Sequence, residues 1–148
     1  MEQPDVLAEG LLDRDDRRAY SCLKQLEELS RRSAAAYPCF DRFAALLQSP
    51  SSYQRSRGIR LVAANARWDT AGRVEALLPA LLAHIADEKP ATARQCIQAL
   101  PAVAEAKPAL RPAILAALAA ADPSGLPDSM RPLVQRDLRR AMREIASL

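Results

Sequence analysis

Apolar residues recur along this chain at the spacing of one face of an α-helix. In one segment they occupy positions 19, 22, 23, 26 and 29, and in another positions 93, 96, 97, 100 and 103. Spacings of three and four residues place such side chains on a single stripe that is buried against a neighbour. No segment alternates between apolar and polar residues over a useful length, so the pattern predicts helices and no sheet.

The same pattern occurs four times, at intervals of about 40 residues. Each copy opens with a residue able to cap a helix, and a short residue followed by an aliphatic one lies nine positions later. A period of this size predicts stacked pairs of helices, none of which buries its apolar face alone. We predict eight helices at 5–12, 15–33, 39–48, 51–67, 71–86, 88–106, 108–121 and 129–147.

Residues that break or start helices mark the predicted boundaries. We expect Asp13, Ser49, Asp87 and Asp128 each to accept a hydrogen bond from a backbone N–H in the first turn of a helix. Prolines at 79 and 101 fall within helical patterns, so the helices there should kink or split. We find no linker that would divide the chain, and we predict one domain over 1–148 with repeats at about 3–33, 38–67, 71–106 and 108–147.

Composition is consistent with a helical globular protein. The 148 residues are 49% hydrophobic, 26% charged and only 4% aromatic, and they include 4 glycines. No apolar run reaches the roughly 20 residues that cross a bilayer. The first residues lack the charged and apolar regions of a secretory signal. Three cysteines at wide spacing do not suggest a disulfide framework. We therefore expect a cytoplasmic protein without a membrane contact.

Positive charge is concentrated in the second helix of each predicted pair. These helices contain most of the 21 Lys and Arg residues but fewer than half of the 18 Asp and Glu residues. Opposite their apolar stripes, the helical phase predicts a polar surface that would attract an acidic partner. The candidate binding residues are Lys24, Arg57, Arg60, Trp68, Gln95, Gln98, Arg136, Arg139, Arg140 and Arg143. The alternative interpretation is an ordinary solvated surface, in which pairs such as Arg140 with Glu144 absorb charge.

Six further polar residues lie at positions that suggest a structural role. Arg55 and Asp137 are charged where the other repeats have apolar or small residues, so each must be paired if it is buried. Asn65 replaces an aliphatic residue and is expected to hydrogen-bond to the next helix. Asp69 and Asp87 are expected to cap helices, and the sequence suggests either of them as the partner of Arg94.

Catalytic and metal-binding patterns are not evident in the sequence. Cys22 and Cys96 occupy equivalent positions on the predicted buried face, and no C-x-x-C or H-x-x-x-H spacing occurs. His84 is the single histidine, which weakens any pairing of a base with a nucleophile. Glycine-rich phosphate loops and nucleophile elbows are also missing. We predict no enzymatic activity, no cofactor and no bound metal.

A turn aspartate, an arginine in the second helix and small–aliphatic pairs together resemble HEAT repeats. Asp87, Arg94, Cys96-Ile97 and Leu100 form the best copy. The segments at 57–69, 87–101 and 129–137 are similar to small bacterial HEAT-like proteins sometimes labelled SufBD protein. The resemblance implies a right-handed α-α superhelix of about four helical hairpins, with the second helices lining its concave side. The label implies an accessory role in iron–sulfur cluster assembly.

The sequence leaves several functions open. The leading hypothesis is a non-catalytic HEAT-repeat scaffold that binds an acidic protein or peptide in a basic groove. The alternative is a nucleic-acid-binding protein whose arginines contact phosphates, with binding that weakens steeply as salt increases. The iron–sulfur role follows only from the family label.

Overall fold

The computed structural model describes residues 3–148, and within them the chain is entirely helical, with eight α-helices and no strand. Short 3-10 segments precede or extend several of these helices. The α-helices are α1 (Pro4–Gly10), α2 (Asp16–Arg32), α3 (Phe40–Ala45), α4 (Ser52–Asn65), α5 (Arg73–Ala83), α6 (Pro90–Ala106), α7 (Arg111–Ala120) and α8 (Arg131–Ala146). The all-α prediction is therefore confirmed, and each of the eight predicted helices is found close to its predicted bounds.

The turns before three of the longer helices are built in the same way. Asp13, Ser49 and Asp87 each accept a hydrogen bond from the backbone N–H two residues later, at 2.8, 3.1 and 2.9 Å. Such local bonds from short polar side chains stabilise the turn that precedes a helix. The predicted bond to an N–H in the first turn is therefore wrong for all three residues, because the donors are the N-cap residues Asp15, Ser51 and Lys89. In α2 and α4 the side chain of that N-cap residue caps the helix itself.

The prediction for Asp128 is also wrong. Its carboxylate accepts a hydrogen bond from the Arg131 guanidinium at 3.0 Å and none from a backbone N–H, because α8 starts at Arg131 with Met130 as its N-cap. Of the two effects expected at the internal prolines, a kink or a split, the split does not occur, since α5 continues through Pro79 and α6 through Pro101.

The four longer helices form the centre of the structure. In sequence order, α2 packs on α4, α4 on α6 and α6 on α8. Helices α1, α3 and α7 pack on α2, α4 and α8, and the 3-10 segment after α5 packs on α6. The predicted stripes form the core of this arrangement, where Leu26, Ile97 and Leu100 have no exposed surface.

Close helix packing explains why the second copy of the repeat has a glycine nine positions after its start. A Cβ atom at Gly58 would lie 2.7 Å from the Phe43 carbonyl oxygen and 2.7 Å from Leu46 Cβ, both on the preceding helical segment. Any side chain there would push α3 away from α4. The equivalent positions in α2 and α6 hold Cys22 and Cys96, which are also buried.

No helix within residues 3–148 combines the length and the apolar character needed to span a lipid bilayer.

Truncation of a core leucine should destabilise the fold much more than truncation of a surface leucine. We expect Leu100→Ala to lower the free energy of unfolding by about 2–5 kcal/mol, because it removes buried methyl groups and leaves a cavity. Leu12→Ala is the matched control, since Leu12 is 49% exposed. Urea denaturation measures both variants. An equal loss at the two positions would contradict the assigned core.

Candidate functional site

Ion pairs made by buried or half-buried arginines connect each long helix to the next long helix or to the turn before it. Arg57 on α4 donates to Asp16 Oδ1 at the start of α2 and to the carbonyl oxygen of Leu11, both at 3.1 Å. Arg55, also on α4, donates to both carboxylate oxygens of Asp87 at 3.0 and 2.9 Å. These contacts join residues more than 30 positions apart, so they act between repeats.

The same kind of contact continues to the last helix. Arg94 on α6 donates from Nε to Asp137 Oδ2 on α8 at 2.6 Å, and the Gln98 amide lies 3.4 Å from the same oxygen. The suggested partners of Arg94, Asp87 and Asp69, are therefore wrong. Asp87 is bound to Arg55 instead, and Asp137 lies directly across from Arg94 on the neighbouring helix.

Two predicted binding residues on α4 do not present free charges. Arg57 is buried, although the helical phase placed it on the solvent face, because its guanidinium folds back onto α2 and the end of α1. The Arg60 side chain is only 25% exposed, and Glu27 accepts two hydrogen bonds from it at 2.8 and 3.0 Å. Lys24 also contacts Glu27, at 3.4 Å. Carboxylates on α2 therefore neutralise most of this part of the surface.

Exposed arginines without carboxylate partners lie on α8. Arg136, Arg139 and Arg143 are exposed and make no ion pair within residues 3–148. Arg140 lies on the same side of the helix and pairs with Glu144 at 3.0 Å, as an exposed contact of the kind that contributes little stability. Charges at these spacings repeat once per helical turn, so the last helix presents a continuous basic surface.

The long helices enclose two grooves that bring most of the predicted binding residues together. The groove we call the tyrosine groove spans α2, α4 and α6, has a volume of ≈ 490 Å³ and includes Tyr20, Leu23, Tyr53, Arg57, Arg60 and Gln95 in its walls. The arginine groove spans α6 and α8, has a volume of ≈ 500 Å³ and includes Arg94, Gln98, Arg136, Asp137, Arg140 and Glu144.

The two tyrosines were not among the predicted binding residues. Tyr20 and Tyr53 are 51% and 65% exposed, yet both line the tyrosine groove. A signal was present in the sequence, since Tyr20 lies one turn before Lys24 and Tyr53 one turn before Arg57 on the predicted polar surface. Neither ring carries a charge, so the charge pattern that predicts the binding residues does not point to them.

Trp68 lies in a polar cluster near the ends of α2 and α4. Its Nε1 donates to the Ser30 carbonyl oxygen at 2.7 Å, and the Arg67 guanidinium lies 4.9 Å from its ring centroid. Asn65 donates to Ser30 Oγ at 3.1 Å. Asn65 therefore bonds to the preceding long helix rather than to the next one, because Ser30 replaces an apolar residue on the facing side of α2.

Asp69 connects three helical segments at the base of α5. It accepts hydrogen bonds from the hydroxyl of Tyr37 at 2.6 Å and from the backbone N–H of Val74 at 2.9 Å, while Lys107 Nζ lies 3.2 Å away. Burial opposes ionisation of this carboxyl, but the donors prevail and hold its pKa well below the usual range. Asp69 is therefore an anion at neutral pH whose bonds are used for structure.

Asp87 has a similar environment beside the only histidine. Burial raises its pKa, but hydrogen bonds from Arg55, from the Lys89 backbone N–H and from His84 outweigh that effect and lower it to about 2. The His84 Nδ1 atom lies 2.8 Å from Asp87 Oδ2. Because Arg55 occupies both oxygens of the carboxylate, this His–Asp contact belongs to a structural ion pair.

Cysteines and acidic residues do not assemble into a metal site in the described part of the chain. Cys22, Cys39 and Cys96 are buried, and residues 3–148 contain no group of three or more His, Cys, Asp or Glu side chains arranged to hold an ion. Burial raises the pKa of the Cys96 thiol to about 12, and its Sγ donates to the Leu81 carbonyl oxygen. This thiol is consequently inert at neutral pH.

Comparison with known proteins gives no match: neither a family model, nor a curated protein, nor a solved structure is similar to this chain. The resemblance to HEAT repeats therefore stays a prediction from the residues quoted above.

The contribution of Asp87 to stability should depend on pH in the acidic range. Its pKa is about 2 in the folded protein and about 3.9 for an unfolded aspartate, so folding favours the ionised form. The stabilisation is complete above pH ~4 and is lost as the pH falls toward 2. The stability difference between the wild type and Asp87→Asn should shrink over that interval when urea melts are repeated at each pH.

Asp41→Asn provides the control for this experiment, because Asp41 is an exposed carboxylate on α3 whose nearest cation, Arg73, is 3.9 Å away. A wild-type to Asp87→Asn difference that stayed constant between pH 4 and 2 would contradict the role given to the Arg55–Asp87 pair.

Proposed function

We propose that the protein is a non-catalytic HEAT-like scaffold that binds an acidic protein segment along the surface formed by α2, α4, α6 and α8. In this proposal the four helix pairs form a right-handed superhelix, and the long helices line its concave side. The repeat period and the packing of each long helix on the next one support such an architecture.

The observation that carries the proposal is the distribution of unpaired positive charge. Arginines on α4 and α6 are bound to carboxylates of neighbouring helices, whereas Arg136, Arg139 and Arg143 on α8 are exposed and have no carboxylate partner within residues 3–148. A basic surface beside a groove attracts acidic ligands and raises their rate of association. We therefore assign the acidic segment of the ligand to α8 and the arginine groove.

A protein ligand is better supported than nucleic acid. Asp137 and Glu144 line the arginine groove beside its arginines, and Asp16 lies in the tyrosine groove. Each of these carboxylates is paired with an arginine, so the unpaired positive charge lies at separate positions that suit individual carboxylate side chains better than a continuous phosphate backbone. Four of the five arginines of α8 nevertheless favour nucleic acid as the second candidate, because Arg136, Arg139, Arg140 and Arg143 repeat along one helix surface.

The proposal includes no chemical step. The three buried carboxylates, Asp69, Asp87 and Asp137, are each held by structural donors, and the thiol of Cys96 is buried and protonated. A role in iron–sulfur cluster assembly would have to proceed through contacts with other proteins, since all three cysteines are buried.

Reversal of two charges on α8 should abolish binding of an acidic peptide. A fluorescein-labelled oligoglutamate peptide serves as the probe, and fluorescence anisotropy reports its Kd. We expect Arg136→Glu combined with Arg139→Glu to weaken binding at least tenfold, because it replaces attraction with repulsion at the proposed contact. Mixed-sequence DNA and RNA are titrated in parallel at two salt concentrations.

The matched control is Arg14→Glu combined with Lys89→Glu, which changes the net charge equally at exposed residues that line neither groove. Equal weakening by both double variants would show a nonspecific charge effect and contradict the proposed surface. Tighter binding of DNA or RNA than of the peptide at both salt concentrations would favour the nucleic-acid alternative.

A further inference from the structure

Two aromatic rings are exposed in the same groove, on consecutive long helices. Tyr20 on α2 and Tyr53 on α4 are 51% and 65% exposed, and both line the tyrosine groove together with Leu23 and Ala91. Tyrosine combines a large apolar ring with a hydroxyl at low entropic cost, and it is enriched among the residues that dominate binding energy at protein interfaces.

Two of the three arginines in the wall of this groove are already neutralised. Arg57 is bound to Asp16 and to the Leu11 carbonyl oxygen, and Arg60 is bound to Glu27. An apolar side chain that enters beside Arg57 and Arg60 therefore displaces water from rings and aliphatic atoms without stripping the solvent from an unpaired guanidinium of either residue. Desolvation of a free charge would make such binding unfavourable.

The surroundings of the groove are complementary to acidic residues. Arg17 lines the groove, is exposed and makes no ion pair within residues 3–148. Toward the other end of the same surface, α6 contributes Gln95 to the tyrosine groove and Gln98 to the arginine groove. A single extended segment that follows α6 can therefore contact both grooves.

We propose that the bound segment is amphipathic: one large apolar side chain inserts between Tyr20 and Tyr53, and flanking acidic residues contact Arg17 and the arginines of α8. This inference rests on the proposed function and adds the second chemical requirement of the ligand. The groove volume of ≈ 490 Å³ lies within the range of sites that hold a large side chain or a small molecule.

A selection from a random dodecapeptide display library tests the chemistry of the ligand. The folded wild-type chain is the bait, and the enriched peptides are resynthesised and titrated by anisotropy. We expect a consensus with one Phe, Leu, Ile or Trp beside two or more Asp or Glu residues. Tyr20→Ser combined with Tyr53→Ser should weaken binding of these peptides about tenfold or more, as expected for anchor residues.

Two comparisons separate this inference from the proposed function. The control variant Val6→Ser combined with Leu12→Ser removes exposed apolar residues outside the tyrosine groove and should leave binding unchanged. All variants alter exposed residues, and thermal melts monitored by circular dichroism establish that they fold. The Arg136→Glu and Arg139→Glu variant is titrated with the same peptides.

The possible outcomes distinguish the amphipathic ligand from the proposed function. Peptides whose binding is weakened by the α8 variant but not by the tyrosine variant would overturn the inference and leave the proposed function standing. Acidic peptides without an apolar residue would do the same. An empty selection, or peptides insensitive to both double variants, would overturn the proposed function itself.

Discussion

Arginine–carboxylate pairs between neighbouring long helices determine how the charges of this protein are arranged. Arg57 binds Asp16, Arg55 binds Asp87 and Arg94 binds Asp137, and in each case the partners lie in different repeats. Removal of such charges from water costs free energy that their attraction offsets only when geometry and hydrogen bonding are good. Their role is therefore better understood as fixing the alignment of one helix pair on the next, with stability supplied by the aliphatic core.

This alignment has a consequence for the exposed surface. The acidic partners are used on α2, on the turn before α6 and on α8, so the arginines of α4 and α6 face carboxylates rather than solvent. On helix α8, Arg136, Arg139 and Arg143 are exposed and have no carboxylate partner within residues 3–148. The surface is therefore basic along α8 and aromatic where Tyr20 and Tyr53 line the tyrosine groove. A ligand with one acidic and one apolar portion fits that asymmetry.

The helical pattern in the sequence was sufficient to predict the eight helices and the core, because periodic apolar positions such as Leu26 and Leu100 are buried by local geometry and packing. The environment of individual arginines was not predictable in the same way. Arg57 and Arg136 occupy equivalent positions of their repeats, yet one is buried and the other exposed. The difference depends on Asp16, which lies 41 positions from Arg57 on the preceding long helix, whereas the equivalent position on α6, the long helix before α8, is Pro90. Charge alone does not identify Tyr20 and Tyr53 as groove residues, because both are uncharged and their exposure depends on how the long helices pack.

A double-mutant cycle on Arg94 and Asp137 tests the central claim most directly. Arg94→Leu, Asp137→Ala and the double variant are compared with the wild type by urea denaturation, and the exposed pair of Arg140 and Glu144 provides the reference cycle. We predict a coupling energy of about 1.5 kcal/mol or more between Arg94 and Asp137, against about 0.3–0.5 kcal/mol for the exposed helical pair. Equal coupling energies in the two cycles would contradict the claim that ion pairs between neighbouring helices fix the alignment of the repeats.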